Sequence, residues 1–189
     1  MMAGHTPLSA ALVADDPRFV DAAAVLLGGD VVPMHAEGIL YLGETGWHYD
    51  DGIGVDGVKF AVYLEPLTGA TGALRFPWSV AETRPGDVVA FGLHTWHASS
   101  GGSNRLAWTV EYLRTPGDEA ERARVLDAYF DNNDQTYGRF DHERYPVWRD
   151  WARNPAASLR RAQVIERMRS IGVFDLPGAG LGDVRYPRS

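Results

Sequence analysis

The 189-residue chain contains no cysteine. That absence excludes disulfides, thiolate metal ligands and a cysteine nucleophile together, and it agrees with a cytoplasmic protein. Lysine is almost missing as well: Lys59 is the single lysine, and every other basic residue except histidine is arginine. With a net charge of −7 the chain offers no basic excess for a nucleic acid or an anionic membrane. No apolar run approaches the roughly 18 residues of a membrane span. The opening MMAGHTPLSAALVADDP lacks a basic start and a sustained apolar stretch, so no signal peptide is expected. There is no internal repeat and no low-complexity block.

What remains is ordinary globular material. Hydrophobic residues make up 45% and charged residues 23%, and the length suits one domain, 1–189, with a real core. DDPRFVDAAAVLLGGD reads as a short N-terminal helix: Asp16 caps it, Pro17 fits its first turn and Gly28-Gly29 stops it. Short strand-like runs follow at 38–43, 47–50, 58–64, 73–76, 87–92 and 106–113, separated by Gly, Pro, Asp and Thr. Strands at this spacing predict a sandwich or a barrel, with its core over about 30–115. After Pro116 the pattern turns helical over about 118–172. There Val164, Met168 and Ile171 fall on one stripe, a packing surface. This segment could cover the barrel mouth or form a homodimer contact. The Gly- and Pro-rich tail from Gly178 is expected to be poorly ordered.

One stretch carries chemistry. In GWHYDD, His48 and Asp50 lie two apart, and strand alternation turns both to one side. Such spacing arises easily by chance, so a further ligand must come from another strand. PGDVVAFGLHTWHASSGGSNRLAWTVEYL offers His94 and His97, then Ser99, then Arg105 at the head of the next strand. Two histidines and one carboxylate with positions left open is the set favoured by non-haem Fe(II) oxygenases.

GWHYDD, VKFAVYLEPLTGATGALRF and PGDVVAFGLHTWHAS…NRLAWTVEY together resemble the phytanoyl-CoA dioxygenase family of Fe(II)/2-oxoglutarate oxygenases, over residues 38–113, about 40% of the chain. The resemblance implies a double-stranded β-helix, a jelly-roll or cupin-like barrel, with a short N-terminal helix and C-terminal helices added. It implies His48, Asp50 and His97 as catalytic iron ligands, with Arg105 and Ser99 binding the distal carboxylate of 2-oxoglutarate. It also implies a dioxygenase that consumes O2, converts 2-oxoglutarate to succinate and CO2, and hydroxylates or desaturates a substrate. The short scaffold points to a small molecule. Lys59, in phase with Ala61 and Tyr63, could face solvent or line the barrel; Lys59 and Tyr63 are the candidate substrate contacts. His94 competes with His97 as distal ligand but lacks the Trp-His-x-Ser context. Asp51 reads as a turn residue, and His5, His35 and His142 as surface or structural. Tyr41, Tyr63, Trp47 and Trp108 read as core aromatics. Two rival functions share the barrel: a cupin-like metal-dependent isomerase or epimerase without 2-oxoglutarate, and a non-catalytic binding protein.

Overall fold

The computed structural model describes residues 11–50, 54–102, 104–137 and 158–175. Its strands are β1 (Val31–Tyr41), β2 (Thr45–His48), β3 (Gly57–Tyr63), β4 (Thr71–Phe76), β5 (Ser79–Ala81), β6 (Val88–Gly92), β7 (His97–Gly101) and β8 (Arg105–Arg114). One sheet has the order β1-β8-β3-β6 and the other β2-β7-β4-β5, with antiparallel pairing throughout. Two facing antiparallel sheets with few helices are the jelly-roll, cupin-like core expected from the sequence.

The strand β3 shows why the layers stack this way. Its odd-numbered side chains, Ala61 and Tyr63, join Leu74 of β4, Phe91 of β6 and Ala107 of β8 in a core between the sheets. Its even-numbered ones, Val58 and Phe60, belong to a second core on the outer face of the same sheet. A strand covered on both faces reads as a nearly continuous apolar run. That leaves Lys59, the one charge in the run, on the inner face by alternation.

The outer core is closed by helices. In α1 (Pro17–Leu27) the Asp16 side chain accepts from the Arg18 amide, and Gly28 ends the helix in the left-handed region at φ 70°. Phe19 of α1 packs edge-on against Phe60 and Trp108, with ring centroids 5.6 and 5.5 Å away. Further along, α2 (Glu119–Tyr137) docks through Tyr129, whose hydroxyl donates to the Pro33 carbonyl at 2.5 Å. The third helix, α3 (Leu159–Ile171), buries Val164, Met168 and Ile171 as the stripe predicts. Its N-terminus is pinned to the π-helical turn Ala11–Asp15: Arg161 forms an ion pair with Asp15, and the Ser158 hydroxyl donates to the same carboxylate.

Three features differ from the expectation. The first strand starts at Val31, seven residues before the apolar run that announces it, because a bulge between Pro33 and His35 breaks its alternation. A strand absent from the expected runs lies between 92 and 106: β6 stops at Gly92, a turn intervenes, and His97 opens β7. Trp47 is no core residue: it is 47% exposed, since its neighbour His48 takes the inward position. The expectations for His5, Asp51, His142 and the tail from Gly178 lie outside the described residues.

Candidate metal centre

The pairing of β2 with β7 sets His48 directly opposite His97. Asp50 lies just past the end of β2, and its amide donates to the Leu93 carbonyl at 2.9 Å, tying it to the turn that leads into β7. One ligand atom from each of His48, Asp50 and His97 lies within 4.8 Å of the others. The His48 Nε2 is 3.5 Å from Asp50 Oδ1, and the His97 Nε2 is 3.7 Å from Asp50 Oδ2. His94 is exposed in the turn and stands outside this group.

Both rings are held in the orientation a metal needs. The Nδ1 atoms of His48 and His97 lie 2.7 and 2.8 Å from the carbonyl oxygens of Gly46 and Thr95. A carbonyl only accepts, so each Nδ1 carries the proton and each Nε2 presents a lone pair. Burial lowers the pKa of His97, against the opposing pull of the Thr95 carbonyl and Asp50, which keeps its ring neutral. Asp50 Oδ2 is buried without a hydrogen-bond partner, an unusual state for a carboxylate oxygen. The donor set, the tautomers and the orphan oxygen all fit a divalent cation that accepts nitrogen and oxygen ligands.

Lys59 does line the interior, but its ammonium is committed. Its Nζ lies 3.0 Å from Glu111 Oε1 and, without hydrogen-bond geometry, 3.3 Å from Asp50 Oδ2. Burial works against its charge, yet Glu111 and Asp50 outweigh it and raise its pKa above the ordinary lysine value. Glu111 is the partner that the sequence reading missed. It stands directly opposite Lys59 in the β3–β8 register, and its only signal was its phase with Arg105, Ala107 and Thr109.

Those four residues form the inner row of β8. At its head Arg105 is 2% exposed. Its terminal nitrogens donate to the Gly72 and Gly43 carbonyls at 2.7 and 2.6 Å, and the guanidinium lies 4.8 Å from the Tyr41 ring centroid. Its Nε has no partner, and among the described residues no carboxylate pairs with it. Ser99 is buried two residues beyond His97, hence on the same face of β7. Tyr63 is buried between the sheets, where desolvation raises its pKa and the nearby charges of Arg105 and Lys59 pull the other way.

No protein-family model and no curated protein matches the chain. Solved structures do. EctD from S. alaskensis, in a structure with bound Fe, aligns with a TM-score of 0.53 at 21% identity, over 60% of this chain and 55% of that one. The same protein with 2-oxoglutarate and 5-hydroxyectoine gives a TM-score of 0.52. The epimerase SnoN, in complex with Fe3+, alpha-ketoglutarate and nogalamycin RO, aligns at 0.51 with 16% identity, over 59% of this chain and 60% of that one. The chain shares its fold with these proteins. The aligned region spans 55% of the EctD chain and 60% of the SnoN chain.

Proposed function

We propose that the protein is an Fe(II)- and 2-oxoglutarate-dependent dioxygenase acting on a small molecule. His48, Asp50 and His97 would hold the iron. Arg105 and Ser99 would receive the distal carboxylate of 2-oxoglutarate. The observation that carries this reading is Arg105: a guanidinium buried on the inner row of the barrel, with no carboxylate of its own among the described residues. Burying a charge without a counter-charge is costly, and a bound carboxylate would relieve that cost. A cupin-like isomerase that uses the metal alone has no need of this arginine.

Iron, when bound, would supply the redox chemistry by which 2-oxoglutarate, O2 and a substrate C–H bond become succinate, CO2 and a C–OH bond. The chain's own residues do the positioning. The two Nδ1–carbonyl contacts fix the imidazoles before any ligand arrives. Asp50 contributes the single negative charge of the ligand set and leaves further metal positions open. The two-sheet core keeps water from the buried side, while the His48 side chain is 38% exposed and marks the open side from which a substrate would approach. Tyr63 and Lys59 are the side chains we expect it to meet within the barrel.

The likeness to SnoN, named an epimerase, supports a second outcome of the same site, in which a substrate hydrogen is lost from one face and another is supplied to the opposite face. Because inversion is redox-neutral, any 2-oxoglutarate and O2 consumed on the way must be matched by an external two-electron reductant such as ascorbate, with the oxygen leaving as water. Aerobic turnover with Fe(II) and 2-oxoglutarate tests the main reading. Succinate formed in step with a product heavier by one oxygen (hydroxylation) or lighter by two hydrogens (desaturation) supports it, and an isomeric product of unchanged mass formed together with succinate supports the second outcome. Turnover of substrate without succinate would favour the cupin-like alternative.

A further inference from the structure

Lys59 occupies a position that matters for any cation at this centre. Asp50 Oδ2 faces two groups at once: His97 Nε2 at 3.7 Å and Lys59 Nζ at 3.3 Å. A divalent ion held by Asp50 must therefore share that carboxylate with a fixed positive charge. The ammonium is not on a free arm. The lysine side chain is only 12% exposed, and Glu111 Oε1 grips its ammonium at 3.0 Å from the neighbouring strand, where the register puts the two residues face to face. Of the two carboxylates Glu111 is the nearer, so the lysine is drawn back from Asp50 by a partner outside the ligand set.

We propose that Lys59 competes with the metal for Asp50 and that Glu111 restrains this competition, so that one buried ion pair sets the affinity of the metal centre. The inference rests on the metal reading above. Its logic is Coulombic. At separations near 4 Å a unit charge in a protein interior is felt strongly, and a dication feels it twice over. Removing the ammonium takes away a repulsion and leaves Glu111 as an added negative charge, so metal binding tightens. Removing only the charge of Glu111 leaves the ammonium with Asp50 as its sole carboxylate, so metal binding weakens. The two partners of one ion pair therefore act in opposite directions. A pair that merely stabilised the fold would not do this: its loss would loosen the site in the same direction from either side.

The test uses Mn(II), which does not consume O2 and whose free ion gives a resolved electron paramagnetic resonance signal. Titration of the full-length protein gives the dissociation constant. Lys59→Met should bind Mn(II) about tenfold more tightly or better, and Glu111→Gln about tenfold more weakly or worse. Either single variant can destabilise the barrel by leaving a buried charge alone. The apolar replacement Lys59→Met/Glu111→Leu avoids this, and it should still bind more tightly than the unmodified protein, by less than Lys59→Met alone, because the ammonium lies against Asp50 itself while Glu111 lies against the ammonium. Shifts of the same sign in the two single variants, or a double variant no tighter than the unmodified protein, overturn the proposal while the metal centre stands. Failure of the unmodified protein to bind Mn(II) at all overturns the metal reading and this inference with it.

Discussion

His48 and His97 face each other across the β2–β7 pair as register partners, their ring centroids 4.3 Å apart. A sheet contact thus sets the spacing of two candidate ligands, and the backbone bond from Asp50 to Leu93 brings in the third. The site is assembled by the fold itself, as a preorganised metal centre should be.

Each member of this trio should be needed for metal. His48→Ala, Asp50→Ala and His97→Ala are expected to weaken Fe(II) binding by about 100-fold or more, beyond the usual effect of outer-shell changes. His94→Ala should bind nearly as the unmodified protein does. Anaerobic Fe(II) titration of the four variants checks this; loss of metal in His94→Ala with retention in His97→Ala would reverse the distal assignment.

Gly72 makes room for Arg105. Its φ is +101°, and a Cβ there would lie 2.4 Å from Arg105 Cδ and 2.6 Å from the Gly101 carbonyl oxygen. Gly72→Ala should cost about 1–3 kcal/mol and push the guanidinium aside. Urea unfolding gives the first effect. The second should appear as weakened 2-oxoglutarate binding with iron binding retained, and an unshifted 2-oxoglutarate affinity would separate Gly72 from the arginine's role.

The third helix is tethered through Asp15. Breaking its pair with the buried Arg161 leaves that guanidinium without a carboxylate, so Asp15→Ala should lose about 3 kcal/mol. Ser158→Ala, which removes the helix cap and its bond to Asp15, should lose about 1 kcal/mol. Chemical denaturation of the two variants tests the order; equal midpoints for Asp15→Ala and the unmodified protein would show the helix is held by packing alone.

Acid should loosen the metal-free protein partly through His97. Burial depresses its pKa in the fold, so the unfolded chain takes up the proton first. Its contribution to stability is therefore complete above the ordinary histidine pKa and is lost as the pH falls through that value towards the lower folded one. Unfolding free energies of unmodified and His97→Gln apo protein, measured from neutral pH to about 5, should show a shallower acid decline in the variant. Parallel curves would assign the decline elsewhere.

How far the sequence could be read depends on where each residue's environment is local. The first helix was legible in full because Asp16, Pro17 and Gly28 act within a turn of themselves. The strand β3 was legible from its apolar run. The strand β7 was not: His-Ala-Ser-Ser-Gly has no β-branched residue and is a strand only because β2 and β4 flank it. The alternation that turned His48 and Asp50 to one side held although Asp50 lies past the strand end. Glu111 could not be recognised at all, since its meaning comes from a residue 52 positions earlier, Lys59, and from the β3–β8 register that joins them. For Lys59 the sequence left two environments open; the register decided for the interior and supplied a partner that no local pattern announces.

The most direct test of the account is equilibrium titration of 2-oxoglutarate into anaerobic, Fe(II)-loaded protein, followed by the weak visible charge-transfer band of the chelate. The unmodified protein should develop the band and saturate. In Arg105→Ala the affinity should fall by about 100-fold or more, the loss expected when one partner of a desolvated charge pair is removed, with iron still bound. Arg105→Lys should fall between, since lysine keeps the charge and loses the two-pronged geometry. No band in the unmodified protein, or an unchanged dissociation constant in Arg105→Ala, would contradict the account.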